Sequence, residues 1–249
     1  MAPAALVTGG ARRIGRAICE ALAADGWDVA VHYRGSSTEA EALVRQLSSQ
    51  GVRARAVQAD LAGDDAPEAL VAAATEALGP LGLLVNNVSV FEDDRFGALD
   101  PAAWDRHFAV NLKVPVFLAQ AFAAQALPGA SIVNVLDQRV LRPNPQFFSY
   151  SLTKAALWQA TRTMAQALAP RGVRVNGVGP GPTLQSIHQD AADFAREAQG
   201  TLLGRAVEPR QIAEAVLYLA AADAVTGQMI AIDSGQHLGW KTPDIIEDA

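Results

Sequence analysis

Tyr150 and Lys154 stand one helical turn apart in FSYSLTKAAL, so a helix there presents both side chains from one face. A fixed ammonium beside a phenol favours the phenolate. It draws a group of reference pKa about 10 toward the working range of a proton donor or acceptor. Upstream, an apolar run (SIVNVLDQ) ends in Asp137. A hydroxyl at that point would polarise a carbonyl oxygen, whereas an ionised carboxylate accepts hydrogen bonds and donates none. Beside Tyr150 the carboxylate would also raise the phenol pKa, against the pull of Lys154.

Strand-like runs fall at Ala4–Thr8, Asp28–His32, Arg53–Gln58, Leu83–Asn86, Ser131–Leu136, Arg174–Val178 and Met229–Asp233. Helical stretches lie between them near Arg13–Asp25, Glu39–Gln50, Pro67–Leu78, Trp104–Gln125, Ser149–Ala169 and Pro209–Ala222. Strands separated by helices imply parallel pairing with right-handed crossovers. The expected fold is α/β: a Rossmann-type, doubly wound, three-layer αβα sandwich. No linker or repeat divides the chain, so residues 1–249 read as one domain. The stretch from Gly181 to Gly204 reads as a long connection, with residues 182–204 as a substrate lid.

Hydrophobic residues make up 50% of the chain and charged residues 18%, which excludes disorder and suits a sheet buried on both faces. A net charge of −6 argues against nucleic acid and against an anionic membrane surface as partners. The single cysteine, Cys19, excludes an intrachain disulfide and a thiolate-rich zinc site, and the histidines lack ligand spacing, so no metal is expected. No apolar stretch reads as long enough to span a bilayer, and no charged leader precedes a cleavable apolar segment. A cytoplasmic location is expected.

The first strand runs into Thr8-Gly9-Gly10-Ala11-Arg12-Arg13-Ile14-Gly15 and then a helix. Glycines let that backbone turn tightly against a pyrophosphate, whose charge the helix N-terminus favours. Arg13 stands where the G-x-x-x-G-x-G pattern has its middle glycine. The second strand ends in His32-Tyr33-Arg34-Gly35-Ser36-Ser37, without the acid that would hold a ribose 2′-hydroxyl. His32, Arg34, Ser36 and Ser37, with Arg12 or Arg13 opposite, would surround a 2′-phosphate, so the expected cofactor is NADP(H). Asp60, followed by Leu61, would accept from the adenine amino group. Asn86 and Asn87 end the fourth strand at the ligand edge, and Pro180-Gly181, after Asn176, would bring backbone against the nicotinamide.

T-G-x-x-x-x-x-G, the Asn-Asn pair, Asn111 in VNLKVP, Y-x-x-x-K and P-G, in this order, resemble the short-chain dehydrogenase/reductase family across essentially the whole chain. The resemblance implies a seven-stranded parallel sheet and hydride transfer from a nicotinamide. Tyr150 would be the proton donor, Lys154 would bind the ribose and lower the tyrosine pKa, and Asn111 would support a proton relay. Within the family the chain is similar to the pteridine reductase and dihydromonapterin reductase branch. That likeness rests on Gly9 to Gly15, the H-Y-R-x-S turn, Asn87-Val88-Ser89-Val90-Phe91, Asp137 and the C-terminal VTGQMIAIDSGQHLGW. It implies that Phe91 stacks on a pterin, that Ser89 and Arg13 contact substrate or cofactor phosphate, and that Asp137 works with Tyr150. Two departures stand out: N-N-V-S replaces N-N-A-G, and Phe147 replaces an aromatic tyrosine before Tyr150. Family membership further implies a homotetramer packed through the Trp104–Gln125 and Ser149–Ala169 helices. Trp27, Trp104, Trp158 and Trp240 read as core or interface, with Trp240 placed to cover a neighbouring subunit's pocket.

The expected substrate is therefore a pterin-like small molecule: a dihydropterin or dihydromonapterin, with dihydrofolate in the same class. Asp137 suits protonation of a ring nitrogen, holding a shared proton or ordering a water beside Tyr150. Phe91 would give a flat slot for the heterocycle. Two alternatives are a carbonyl reductase of a 3-oxoacyl thioester or other ketone, and a non-catalytic NADP(H) sensor.

Overall fold

The computed structural model describes residues 3–240. Along the chain run β1 (Ala4–Val7), α1 (Arg13–Ala24), β2 (Asp28–Tyr33), α2 (Ser37–Ser48), β3 (Ala54–Gln58), α3 (Ala66–Leu78) and β4 (Leu81–Asn86). They are followed by α4 (Pro101–Phe108), α5 (Val114–Gln125), β5 (Ser131–Val135), α6 (Phe148–Leu168), β6 (Arg174–Pro180), α7 (Ala191–Gln199), α8 (Pro209–Ala221) and β7 (Met229–Ile232). The seven strands form one parallel sheet in the order β3-β2-β1-β4-β5-β6-β7.

Alternate residues of each strand feed two cores. Ala5 and Val7 join Ile18, Leu22, Leu43, Ile212 and Val216 of α1, α2 and α8 on one face. Ala4 and Leu6 join Leu70, Leu118, Phe122 and Ala165 of α3, α5 and α6 on the other. The strand order reverses between β1 and β4, which opens a crevice at their C-terminal ends.

Three segments depart from the sequence expectation. The long helix begins at Pro101, capped by the Asp100 carboxylate, which accepts from Ala102 N and Ala103 N at 3.2 Å. It is then interrupted by a π-helical turn at Ala109–Lys113 that contains Asn111. Pro115 has no N–H and cannot make the α-helical bond to the Asn111 carbonyl, so the turn widens there. Pro101–Gln125 is also long and apolar enough to cross a membrane by length and composition, contrary to expectation. Leu118, Ala119 and Phe122 are buried against the sheet, which makes it a core helix. The third departure is α7, in the stretch expected to be irregular. A capping box, in which Asp190 accepts from Asp193 N at 2.7 Å, starts that helix.

Candidate active site

The C-terminal ends of β1, β4, β5 and β6, the first turn of α6 and the segment around α7 enclose a cleft of about 990 Å³. Gly9, Arg13, Gly15, Asn87, Ser89, Phe91, Asp137, Tyr150, Lys154, Pro180 and Gly181 all line it, so the fold brings together most of the expected site.

α6 sets the tyrosine. Its N-terminus follows Phe147, which sits in the left-handed region at φ 52°, and it has no cap of its own. Asp94, from the segment after β4, supplies one: its carboxylate oxygens accept from Ser149 N at 3.1 and 3.2 Å. His107 of α4 adds a buried contact, Nδ1 to Ser149 Oγ at 2.6 Å. One residue on, Tyr150 Oη donates to Asp137 Oδ2 at 2.8 Å, while Arg139 N donates to Asp137 Oδ1 at 2.8 Å. One turn further, Lys154 Nζ donates to Val135 O at 2.8 Å and lies 5.6 Å from the Tyr150 ring centroid.

Tyr150 and Lys154 are buried and Asp137 is half-buried, and removal from water dominates their titration. Burial raises the Asp137 carboxyl above its ordinary range, against the Arg139 backbone N–H, the Arg139 charge and the Tyr150 hydrogen bond. Burial and then Asp137 raise Tyr150 well above the usual phenol range. Burial pulls Lys154 down to about 8, with Asp137 opposing. The Tyr150 pKa is thus raised where a lowering was expected: the ammonium donates to a backbone carbonyl, and the carboxylate is the phenol's hydrogen-bond partner.

Asn111 fastens the neighbouring loop. Its Oδ1 accepts from Val90 N at 2.7 Å and from Ser89 Oγ at 3.2 Å, and its Nδ2 donates to Val90 O at 2.8 Å. That loop presents Phe91, whose ring stacks on Phe147 with centroids 4.1 Å apart and meets Tyr150 edge-on at 4.7 Å. From the segment between β6 and α7, His188 Nε2 contacts Phe91 O at 3.0 Å and its ring closes against both phenylalanines. Trp240, by contrast, is exposed, and Trp104 stacks on Phe108 away from the cleft lining.

On the nucleotide side, Gly9 has φ 61° and a Cβ at Gly15 would lie 2.2 Å from Gly9 O, so helix α1 sits directly on the loop. Asn87 Nδ2 donates to Thr8 O and Gly9 O at 2.9 and 3.2 Å. No side chain caps α1, which leaves its first-turn amides to an anion. The residues present fit a dinucleotide pyrophosphate.

Two expected phosphate ligands are otherwise engaged. His32 is buried: Gly9 N donates to its Nδ1 at 3.0 Å, which leaves the proton on Nε2 for Ala59 O at 3.1 Å. Burial lowers its pKa, so it is a neutral strut under the loop and not part of a 2′-phosphate cluster. Arg13 occupies a left-handed position at φ 53°. Its guanidinium donates to Gln185 O and Leu184 O of the β6–α7 segment at 3.1 and 3.2 Å and also lines the cleft. Arg12 pairs with Glu39 at the surface, and Tyr33 packs at the edge of a core. At the end of β2, Arg34 is exposed beside Ser36 and Ser37, and Ser36 leaves α2 without a side-chain cap. Asp60 is exposed and turns back to accept from Ala62 N at 3.1 Å, while Leu61 is buried.

Sequence reasoning missed Arg139. Its side chain is only 14% exposed, with the guanidinium 4.9 Å from the Phe147 centroid and 5.9 Å from that of Phe91. The signal available was a cation two residues beyond a strand-end acid.

A family profile described as enoyl-(acyl carrier protein) reductase matches residues 9–237. A 3-oxoacyl-[acyl-carrier-protein] reductase, FabG, of Staphylococcus aureus is 34% identical over 244 residues, covering 96% of this chain and 99% of the relative. Among solved structures, FolM alternative dihydrofolate reductase 1 from Brucella canis, complexed with NADP, is 52% identical with a TM-score of 0.93, covering 98% of this chain and 97% of the other. A short-chain dehydrogenase/reductase from Serratia marcescens is 34% identical with a TM-score of 0.90, covering 94% and 98%. With the glycine loop, the tyrosine–lysine pair and the sheet order in place, the chain belongs to the short-chain dehydrogenase/reductase family of oxidoreductases.

Proposed function

We propose that this protein is an NADPH-dependent reductase of a pterin-type C=N bond, acting on a dihydropterin, a dihydromonapterin or dihydrofolate. The reading rests on one contact, the 2.8 Å hydrogen bond from Tyr150 Oη to the Asp137 carboxylate. A carbonyl reductase wants a second hydroxyl donor there; a carboxylate with a raised pKa suits a ring nitrogen that must gain a proton.

Gly9, Gly15 and the N-terminus of α1 would hold the pyrophosphate. Arg34, Ser36 and Ser37 would hold the 2′-phosphate, Asp60 and Leu61 the adenine, and Lys154 the ribose. Pro180, Gly181 and Asn87 would line the nicotinamide. When bound, that ring supplies the hydride. Phe91 and Phe147 offer a flat apolar wall to the heterocycle, with Ser89 at its rim. Asp137 orients the Tyr150 hydroxyl and shares its proton; Tyr150 delivers that proton to the substrate nitrogen. The Lys154 ammonium offsets the charge that remains. Asn111 keeps the Ser89–Phe91 segment in register for this geometry.

The 52% identity to a protein named an alternative dihydrofolate reductase, solved with NADP, supports both cofactor and substrate. A second reading, reduction of a 3-oxoacyl thioester, is favoured by the FabG relative at 34% identity. Assembly as a homotetramer through α4, α5 and α6 is part of the proposal; Phe117 and Leu152 on those helices are exposed, and light scattering during gel filtration tests it.

NADPH oxidation decides between the two substrates when followed with a dihydropterin, with a 3-oxoacyl thioester and with neither. Turnover of the dihydropterin is expected. Turnover of the thioester alone sinks the pterin reading, and tight NADPH binding with no turnover points to a sensor.

A further inference from the structure

Arg139 is a withdrawn cation whose donors are largely unspent on the protein. Among the described residues its guanidinium makes one hydrogen bond, Nη1 to Asn144 Oδ1 at a long 3.4 Å, and its Nε stands 4.0 Å from Asp137 Oδ1. Arg174, similarly withdrawn, commits its guanidinium to Leu219 O and Ala220 O at 2.6 Å. A guanidinium carries five N–H donors in a rigid plane, and those of Arg139 that the protein does not use face the cleft. Arg139 instead lies against the Phe147 and Phe91 rings, which fix its plane without using its N–H groups, and it lines the cleft beside Asp137 and Tyr150.

We propose that Arg139 is a substrate-specificity residue that donates hydrogen bonds to an oxygen acceptor, carbonyl or carboxylate, carried by the substrate lying against the Phe91–Phe147 wall. This deepens the pterin reading and rests on it. Two sources fit the chemistry: the ring carbonyl common to all pterins, and the glutamate carboxylates of a folate.

Calorimetric titration of the NADP⁺-loaded protein separates them without turnover, with 6-methylpterin carrying only the ring oxygen and folate carrying both. Arg139→Met is expected to weaken binding about tenfold or more. Arg139→Lys should lie between Arg139→Met and the native protein, and NADP⁺ affinity should stay within about twofold of native in both variants. Equal weakening for the two ligands identifies the ring carbonyl; weakening for folate alone identifies the carboxylates. Unchanged affinity for both overturns the assignment. Failure of both variants to load NADP⁺ also overturns it, in favour of a structural role. If the native protein binds neither ligand, the pterin reading itself fails and takes this substrate assignment with it.

Discussion

On the β1–β4 side of the cleft, Thr8, His32 and Asn87 each bind two or more backbone groups and tie the glycine loop to the sheet. On the β5–α6 side, buried Tyr150 and Lys154 and half-buried Asp137 have their titration displaced, and Arg139 keeps donors in reserve. The first region uses polar atoms as joinery, so its side chains are satisfied before any ligand arrives. The second holds charges where water solvates them poorly, which costs stability and leaves interactions to be completed in the reaction. Substitutions on the two sides should therefore fail differently.

The largest effect is expected from Tyr150→Phe, which removes the proton donor and keeps the ring. Turnover should fall by about 10²–10⁴ with NADPH affinity nearly unchanged; parallel loss of both in steady-state kinetics and cofactor titration would erase the distinction between the sides. Gly15→Ala attacks the other side. Its Cβ would sit 2.2 Å from Gly9 O, so the loop must shift and NADPH affinity should fall by roughly 10²-fold. Native affinity in that variant would mean that the loop does not hold the pyrophosphate.

The smallest effect is on stability and carries the opposite sign. Lys154 has a pKa of about 8, below its ordinary 10.5. Between those values the unfolded chain binds the proton more readily than the folded one, so the cost of burying the charge is full below pH 8 and is relieved as pH rises toward 10.5. Lys154→Met should be more stable at pH 7 by about 1–3 kcal/mol, with the gain shrinking as pH approaches 10. Thermal unfolding across that range measures it, and a variant less stable than native at pH 7 would contradict the account.

Strand positions, the glycine loop and the Tyr150–Lys154 pair were legible because buried parallel strands and one-turn spacing leave direct marks in the residue pattern. Helix α7 was not, since a nine-residue helix opened by Asp190 and Asp193 looks like a polar loop. The π turn at Asn111 was hidden inside a continuous apolar period. His32 was misplaced because residue type suggested phosphate, while position put it buried under the glycine loop. The direction of the Tyr150 shift depends on how far each group is removed from water, which spacing does not encode.

On the proposed reading, Asp137 turns a carbonyl-reducing scaffold toward a ring C=N bond. NADPH oxidation by the native protein and by Asp137→Ser, each given a dihydropterin and a 3-oxoacyl thioester, tests it directly. The native protein should prefer the dihydropterin, and the variant should lose most of that activity while gaining on the thioester, with NADPH affinity unchanged in both. An Asp137→Ser variant that reduces the dihydropterin as fast as the native protein would contradict the claim.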